Sequence, residues 1–404
     1  MRREIYEQHP DWASRTADGG VINYNGDVHV CVNSGFQQEC QFEIIRELLT
    51  THKFDGIFYN MSGFQMRDYS FYDHGLCHCE NCKRRFREMF GLEIPDRADM
   101  NDPAYRKYRV FTRACDEEHE EALVRFVRSL GGQFALNGRD YQRVESNTDL
   151  VRDLPMWQYS ASSNTRCATG PGQKRPSDNA SVDFIGFCYR HVAVSPHEQE
   201  LRLWQNLANR GGLSYYVIGR LDTHLDHSGY EAVQKVFVFH EAHEDVLFGL
   251  RSAAHVLVLR SALWAEEPET RGWIRALTEN HIPFDEFLLS ELTDEKQLSR
   301  YDLIILGNLK YISGAHANLI DAFANGGGTV LATGESAFGD EQFEERGCCA
   351  LSCLGIELSV PVEGKVASVT TLRGGEVRWT QTDDEISISL NRLTDYEGIV
   401  CRYE

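Results

Sequence analysis

The segment from His29 to Asn60 decides the fold predicted for this chain. It contains the run HVCVNS (29–34), an amphipathic stretch at 42–51 and the run DGIFYN (55–60). Short β-branched or aromatic runs that alternate with amphipathic helical stretches are typical of a parallel α/β architecture, in which each helix connects two parallel strands. The segment therefore predicts a strand, a helix and a second strand in that order.

The same alternation continues to about residue 219. Further strand-like runs are QFALNG (133–138), MWQYSA (156–161), DFIGFCY (183–189) and SYYVIG (214–219), with helical stretches at 105–130 and 198–209. Polar residues crowd the carboxyl ends of these runs, where the active site of a (β/α) TIM-type barrel is built. We predict such a barrel over residues 1–250. Since six runs are fewer than the eight strands of a closed barrel, we expect it to be N-terminally incomplete, lacking its first strands.

A second, smaller α/β pattern follows the barrel. It contains AHVLVLRS (254–261), YDLIILGN (301–308) and GGGTVLATGES (326–336), separated by helical stretches near 270–280 and 315–324. This spacing predicts a flavodoxin-like domain at 251–350. Alternating stretches such as SVTTLRGG and EISISLNR predict a β-rich C-terminal segment at 351–404.

Composition excludes several classes of partner. The 404 residues carry 61 acidic and 41 basic side chains and a formal net charge of −20, so phosphate backbones and anionic lipid surfaces are repelled. We therefore expect no nucleic-acid partner and no membrane. Twelve cysteines are too few for a disulfide scaffold in a chain of this length, and no signal peptide opens the sequence. These features favour the cytoplasm.

Three cysteines fall within six residues. The segment Cys77-His78-Cys79-Glu80-Asn81-Cys82 has the spacing of a zinc knuckle, whose fourth ligand comes from elsewhere in the chain. Cys31, at the end of HVCVNS, is the best candidate for that ligand. An all-thiolate site is closed, so such a zinc would be structural. The alternative is that the three thiols are free or redox-active.

Several side chains near the ends of the strand-like runs are candidates for a site at the carboxyl end of the predicted barrel. Glu145, in the loop predicted after QFALNG, is the candidate acid/base. It competes with an ordinary solvated glutamate. Candidate substrate contacts are Asn60, Trp157, Tyr159, Arg190, His191, Asp222 and His224. Aromatic faces with polar edges stack on a pyranose ring and fix its hydroxyls, but core aromatics and polar loops account for the same residues.

The order of these motifs resembles that of a known family. Cys31-Val32-Asn33-Ser34, a strand that ends in Asn60, and Cys-x-Cys-x-x-Cys before a Phe-rich helix are similar to the glycoside hydrolase family forty-two β-galactosidases. They also resemble a group of hypothetical glycosyl hydrolases related to those enzymes and to the α-L-fucosidases. The resemblance implies a carbohydrate substrate and a flavodoxin-like β-galactosidase trimerisation domain, hence a homo-oligomer, with a trimer as the implied form.

Two departures from the family pattern concern the chemistry. In the β-galactosidases the strand equivalent to DGIFYN ends in Asn-Glu, with the glutamate as acid/base, and Met61 stands at that position here. In α-L-fucosidases the same strand ends in Trp-Phe-Asp, which places Asn60 at the nucleophile position. The leading hypothesis is a glycoside hydrolase with a structural Zn²⁺. The alternatives are a non-catalytic sugar-binding or degenerate barrel, and an assembly module.

Overall fold

The computed structural model describes residues 1–404 except 62, 71, 138–139, 149–156, 171–175, 187–188, 221, 263–266, 347–348, 355, 362–363, 372–376, 383–384, 391–398 and 404. The chain forms two compact units. The first comprises Met1–Ala161 and Lys174–Asp245, and the second comprises Ser162–Gln173 and Val246–Glu404.

Helices and strands alternate along most of the described chain. The helices are α1 (Arg3–Gln8), α2 (Gln41–Thr51), α3 (Glu80–Phe90), α4 (Pro103–Ser129), α5 (Ser160–Ala168), α6 (Pro196–Ala208), α7 (Tyr230–Ala242), α8 (Glu244–Leu247), α9 (Pro268–Glu279) and α10 (Gly314–Asn325). The strands are β1 (Asn23–Tyr24), β2 (Asp27–Val28), β3 (Gly56–Tyr59), β4 (Phe134–Leu136), β5 (Gln142–Ser146), β6 (Ser177–Val182), β7 (Gly212–Tyr216), β8 (Val256–Arg260), β9 (Phe284–Leu288), β10 (Leu303–Gly307), β11 (Thr329–Thr333), β12 (Ile356–Pro361), β13 (Val366–Thr371), β14 (Val377–Gln381), β15 (Glu385–Leu390) and β16 (Ile399–Tyr403).

Parallel strands form the sheets of the first unit. Strand β3 pairs with β4, where Tyr59 lies opposite Leu136, and β6 lies between β5 and β7. A parallel bridge between Asn137 and Tyr141 links the end of β4 to the start of β5. The neighbouring strands in each of these two sheets follow chain order, and all of their pairings are parallel. The predicted α/β class is confirmed.

The two faces of strands β5 to β7 have different neighbours. Glu145 is in register with Ala180, and Ala180 with Ser214, so these side chains lie on one face. The other face carries Asn179, which packs against α6. There the Asn179 amide donates to Asn206 Oδ1 at 2.9 Å, and Asn206 Nδ2 donates to the Asn179 carbonyl at 2.7 Å. Glu145 therefore lies on the face turned away from α6.

Three predicted strands of the first unit are wrong. At 29–34 the chain makes an isolated bridge at Val30 rather than a strand, and in MWQYSA the helix α5 begins at Ser160. Met156 and the pair 187–188 lie outside the described residues. The run DFIGFCY follows a strand instead of forming one, because β6 ends at Val182.

The strands that the pattern missed, β5 (QRVES) and β6 (SDNASV), are polar in sequence. Their polar groups are paired inside the fold, which a hydrophobic pattern does not register. Glu145 therefore belongs to a strand and not to a loop.

The second unit contains a four-stranded parallel sheet in the order β11-β10-β8-β9. Strands β8, β10 and β11 and helices α9 and α10 occur where the sequence predicts them. Strand β9, FDEFL, is an addition, and all its residues are buried. The core of this sheet includes Leu257, Leu259, Phe287, Ile304, Leu306, Ile320 and Phe323.

Strands β12 to β16 form antiparallel pairs, as the β-rich pattern predicts. None of the described helices is both long and apolar enough to cross a lipid bilayer.

Candidate functional site

Four cysteines meet in the core of the first unit. The Sγ atoms of Cys31, Cys77, Cys79 and Cys82 all lie within 4.8 Å of one another, and all four residues are buried. The Cys31 and Cys82 sulfurs are 3.3 Å apart. Tetrahedral coordination with Zn–S bonds of about 2.3 Å places sulfurs about 3.8 Å apart, so the spacing fits one such ion. Cys31 therefore joins the three thiols of the knuckle, as the sequence predicts. Together they form a buried four-cysteine cluster that could hold a metal ion.

Local structure explains why these thiols converge. Cys79 precedes α3 as its N-cap, so Cys77 and Cys79 lie in the approach to the helix while Cys82 is in its first turn. The Cys77 amide donates to the Tyr108 hydroxyl of α4 at 2.9 Å. The cluster lies on the buried aromatic face that includes Phe86. Helices α3 and α4 therefore fix the knuckle in place.

Neighbouring groups stabilise negative charge on the sulfurs. The backbone N–H of Asn33 donates to Cys31 Sγ at 3.3 Å, and its side-chain amide donates to Cys82 Sγ at 3.4 Å. Hydrogen bonds from the other thiols hold the pKa of Cys77 well below its usual range. The same thiol contacts, together with burial, raise the pKa of Cys31 and Cys82. Without a cation these four sulfurs cannot all be thiolates, so the donor set suits a divalent metal.

Asn60 occupies the carboxyl end of β3 and is linked to the next strands. Asn137 Nδ2 donates to Asn60 Oδ1 at 3.1 Å. The Asn137 side chain also accepts from the Arg143 amide at 2.7 Å. Asn60 is exposed, so it remains accessible at the end of the sheet.

Glu145 is half-buried near the carboxyl end of β5. Burial, and then the negative charge of Glu145, raise the pKa of Tyr69 and of Tyr216. Tyr216 ends β7, on the same face as Glu145. Glu145 therefore shares a strand face with Tyr216 at the carboxyl ends of the parallel strands, where α/β enzymes place their sites.

These tyrosines line a cavity of about 330 Å³ together with Tyr24, Arg190 and the segment 217–219. The Tyr24 and Tyr69 rings are 6.0 Å apart at an angle of 62°. Small-molecule sites usually have volumes of about 300–1,000 Å³ and are lined by aromatic groups with a few polar ones, so this cavity fits that description. Of the predicted substrate contacts in the described part of the chain, Arg190 is the one that lines it.

The other predicted contacts lie elsewhere on the first unit. The Trp157 and Tyr159 rings pack edge to face, 5.7 Å apart, just before α5. His191 is exposed beside Arg190. Asp222 accepts two hydrogen bonds from Arg220, and His224 stacks parallel to His227 and Tyr230.

Sequence analysis missed the three tyrosines of the cavity. Tyr24 ends a two-residue strand, and Tyr69 lies in the long connection between β3 and α3. Tyr216 lies within the predicted strand SYYVIG, next to a second tyrosine, Tyr215. The hydroxyl of Tyr215 donates to the buried Asp183 on the other face of the sheet. Strand alternation is the one signal that separates the pair.

Comparisons with known proteins agree with this geometry. The family model "hypothetical glycosyl hydrolase 6" matches residues 1–61, which include Tyr24, Cys31 and Asn60. A comparison with curated proteins gives no match.

Among solved structures, α-L-fucosidase isoenzyme 2 from Paenibacillus thiaminolyticus has a TM-score of 0.61 at 18% identity, over 99% of this chain and 59% of that chain. A catalytic mutant of a GH42 β-galactosidase from G. stearothermophilus has a TM-score of 0.65 at 14% identity, over 99% of this chain and 70% of that chain. The β-galactosidase from Bacillus circulans sp. alkalophilus gives 0.65 at 14% identity, over 99% and 69%.

The chain thus spans 59% of the length of the fucosidase. The TM-scores show a shared fold, and at these identities the likeness shows the fold alone. The expected resemblance is confirmed: residues 1–61 match the hypothetical glycosyl hydrolase model, and the chain has the fold of the GH42 β-galactosidases and of the α-L-fucosidase.

Proposed function

We propose that the first unit is a barrel-type domain that binds a sugar in the tyrosine-lined cavity and hydrolyses its glycosidic bond, with Glu145 as the acid/base. The observation that supports this most directly is that Glu145 lies on the same strand face as Tyr216, which lines the cavity. The match to the hypothetical glycosyl hydrolase model and the glycosidase fold support the same class of substrate.

Each group has a role in this proposal. The rings of Tyr24, Tyr69 and Tyr216 would pack on the apolar face of a pyranose, while their hydroxyls and Arg190 bind its oxygens. Glu145 would donate a proton to the leaving oxygen, because a glycosidic oxygen is a poor leaving group until it is protonated.

Asn60 would bind a sugar hydroxyl from the end of β3. The remaining predicted contacts stay proposals, as groups that would touch longer or branched substrates: Trp157, Tyr159, His191, Asp222 and His224.

A second candidate is sugar binding without turnover. Hydrolysis generally requires two carboxyl groups, one on each side of the scissile bond. The residues that line the cavity in the described part of the chain include no carboxylate, and Glu145 itself is not among them. Asp183, at the end of β6, is buried and already accepts hydrogen bonds from the Val194 amide and from Gln199, so we assign it to the loop and not to the reaction.

Replacing Glu145 by glutamine tests the function and separates the two candidates. Removal of a general acid costs about 10²- to 10⁴-fold in rate, so Glu145→Gln should lose that much on alkyl glycosides and much less on activated aryl glycosides. Glu121→Gln, an exposed carboxylate on α4, is the control and should keep the parent rate.

Equal rates for Glu145→Gln and the parent on every substrate would refute the role of Glu145. Calorimetric binding of sugars with no hydrolysis of any aryl glycoside would favour the binding protein.

The cysteine cluster is proposed to hold a structural Zn²⁺ through Cys31, Cys77, Cys79 and Cys82. When bound, the ion would brace the loop before α3 and the start of the chain. The ten cysteines among the described residues are free thiols, which supports a reducing compartment and hence the cytoplasm.

The second unit is proposed to resemble the flavodoxin-like trimerisation domain and to mediate self-association. Light scattering should report an oligomer at micromolar concentration, and a monomer there would contradict this assignment.

A further inference from the structure

Arg190 supplies a cation to the cavity. Within the described part of the chain its guanidinium makes no hydrogen bond, ion pair or ring contact with protein groups, and it lines the cavity beside the three tyrosines. The residue is exposed, so water hydrates the guanidinium in the free protein. A guanidinium has five donors and is always charged, so a ligand in the cavity can replace that water.

Acidic partners are abundant in this protein. The chain has 61 acidic against 41 basic residues. Two other arginines of the first unit pair with acidic residues: Arg143 lies 3.5 Å from Asp178, and Arg220 forms two hydrogen bonds with Asp222. Arg190 differs from these two in that it faces the cavity, where a ligand can supply the acceptor.

The loop that carries Arg190 is held in position. The buried Asp183 accepts a hydrogen bond from the Val194 amide at 2.8 Å, and the Val192 amide donates to the Tyr189 carbonyl at 3.0 Å. These bonds hold the backbone of the segment 189–194. An ordered backbone reduces the conformational entropy that the segment loses when a ligand binds.

We propose that the sugar recognised in this cavity is a uronic acid, whose carboxylate is bound by Arg190. This inference rests on the proposed sugar-binding function and deepens it. The planar guanidinium matches a carboxylate through two parallel hydrogen bonds, which a neutral hydroxyl cannot provide.

The tyrosine rings supply the apolar surface for the pyranose. A bound anion also favours the protonated form of Glu145, the form that a general acid needs.

Paired ligands test the charge directly. Methyl glucuronide and methyl glucoside differ in one group, a carboxylate in place of a hydroxymethyl, and the corresponding galacto pair covers the other common stereochemistry. Calorimetry on the full chain should show each acid binding about 10- to 100-fold more tightly than its neutral partner for at least one pair, the range of a charge-assisted hydrogen bond.

Arg190→Gln should abolish this preference, and Arg190→Lys should keep part of it. Arg275→Gln removes the same charge from the exposed face of α9, where Arg275 pairs with Glu279, and should leave the preference unchanged.

The outcomes separate this inference from the function on which it rests. Equal binding of acidic and neutral sugars by the parent, or a preference that survives in Arg190→Gln, would overturn the uronic acid assignment and leave sugar binding intact. Binding of glucose 6-sulfate without binding of a uronate would overturn the choice of a carboxylate. Binding of none of these sugars would overturn both proposals.

Discussion

Replacing Cys82 by serine is expected to remove the metal from the four-cysteine cluster. Cys82 Sγ lies 3.3 Å from Cys31 Sγ, and both residues are fully buried, so no water or other side chain can take its place without rearrangement. A serine hydroxyl stays protonated at neutral pH and is a poor zinc ligand compared with a thiolate. The variant should therefore bind far less than the one zinc per chain expected of the parent.

The loss of stability follows from the chain separation that the metal closes. Cys31 and Cys82 are 51 residues apart, and the chain-entropy model for a cross-link of that length gives roughly 4 kcal/mol. For a unit of 150–250 residues each kcal/mol shifts Tm by about 2–4 °C, so loss of the ion should lower Tm by about 8–16 °C. Chelation of the parent should give a decrease of similar size.

Metal analysis and thermal denaturation, each with and without a chelator, measure these effects. Cys115→Ser is the matched control, because Cys115 is a buried thiol next to the cluster that contacts the same Asn33 amide, at 3.6 Å. It should keep its zinc and its response to chelator. Full zinc content in Cys82→Ser, or a parent whose Tm does not change on chelation, would refute the assignment.

Three further predictions concern stability. Glu286 is completely buried and forms an ion pair with Arg260. Glu286→Ala would leave that cation unpaired, so it should destabilise the second unit by about 3–5 kcal/mol in urea denaturation. An unchanged urea midpoint would show that the pair is dispensable. Burial and neighbouring carboxylates raise the pKa of Asp116 to about 7, above its unfolded value near 4. The folded state therefore binds more protons in that window, and stability falls as the pH rises from 4 to 7. Asp116→Asn should raise Tm at pH 8 and not at pH 4, whereas Glu47→Gln, at an exposed site on α2, should change Tm little at either pH. A Cβ at Gly328 would lie 2.3 Å from the Phe323 ring, so Gly328→Ala should cost about 1–3 kcal/mol, and a Tm equal to that of the parent would contradict the packing.

The sequence by itself determined the elements whose signals are local. Strand β3, helix α4 and the parallel strands β8, β10 and β11 occur where their patterns predict, because apolar periodicity directly encodes which side of an element is buried. The cysteine knuckle is local too, since three thiols within six residues cannot be far apart. These signals are enough to predict the α/β class and the three clustered thiols at 77–82.

The tertiary structure decided what depends on partners distant in the sequence. Strand β6 is polar and looks like a loop until Asn206 of α6 satisfies Asn179, a pairing across 27 residues. Cys31 completes its cluster by the same kind of long-range approach. The cavity gathers Tyr24, Tyr69 and Arg190 from separate connections that no periodicity joins. A buried polar group is stable only when it is hydrogen-bonded. Its partner is determined by the tertiary packing and not by neighbouring residues in the sequence.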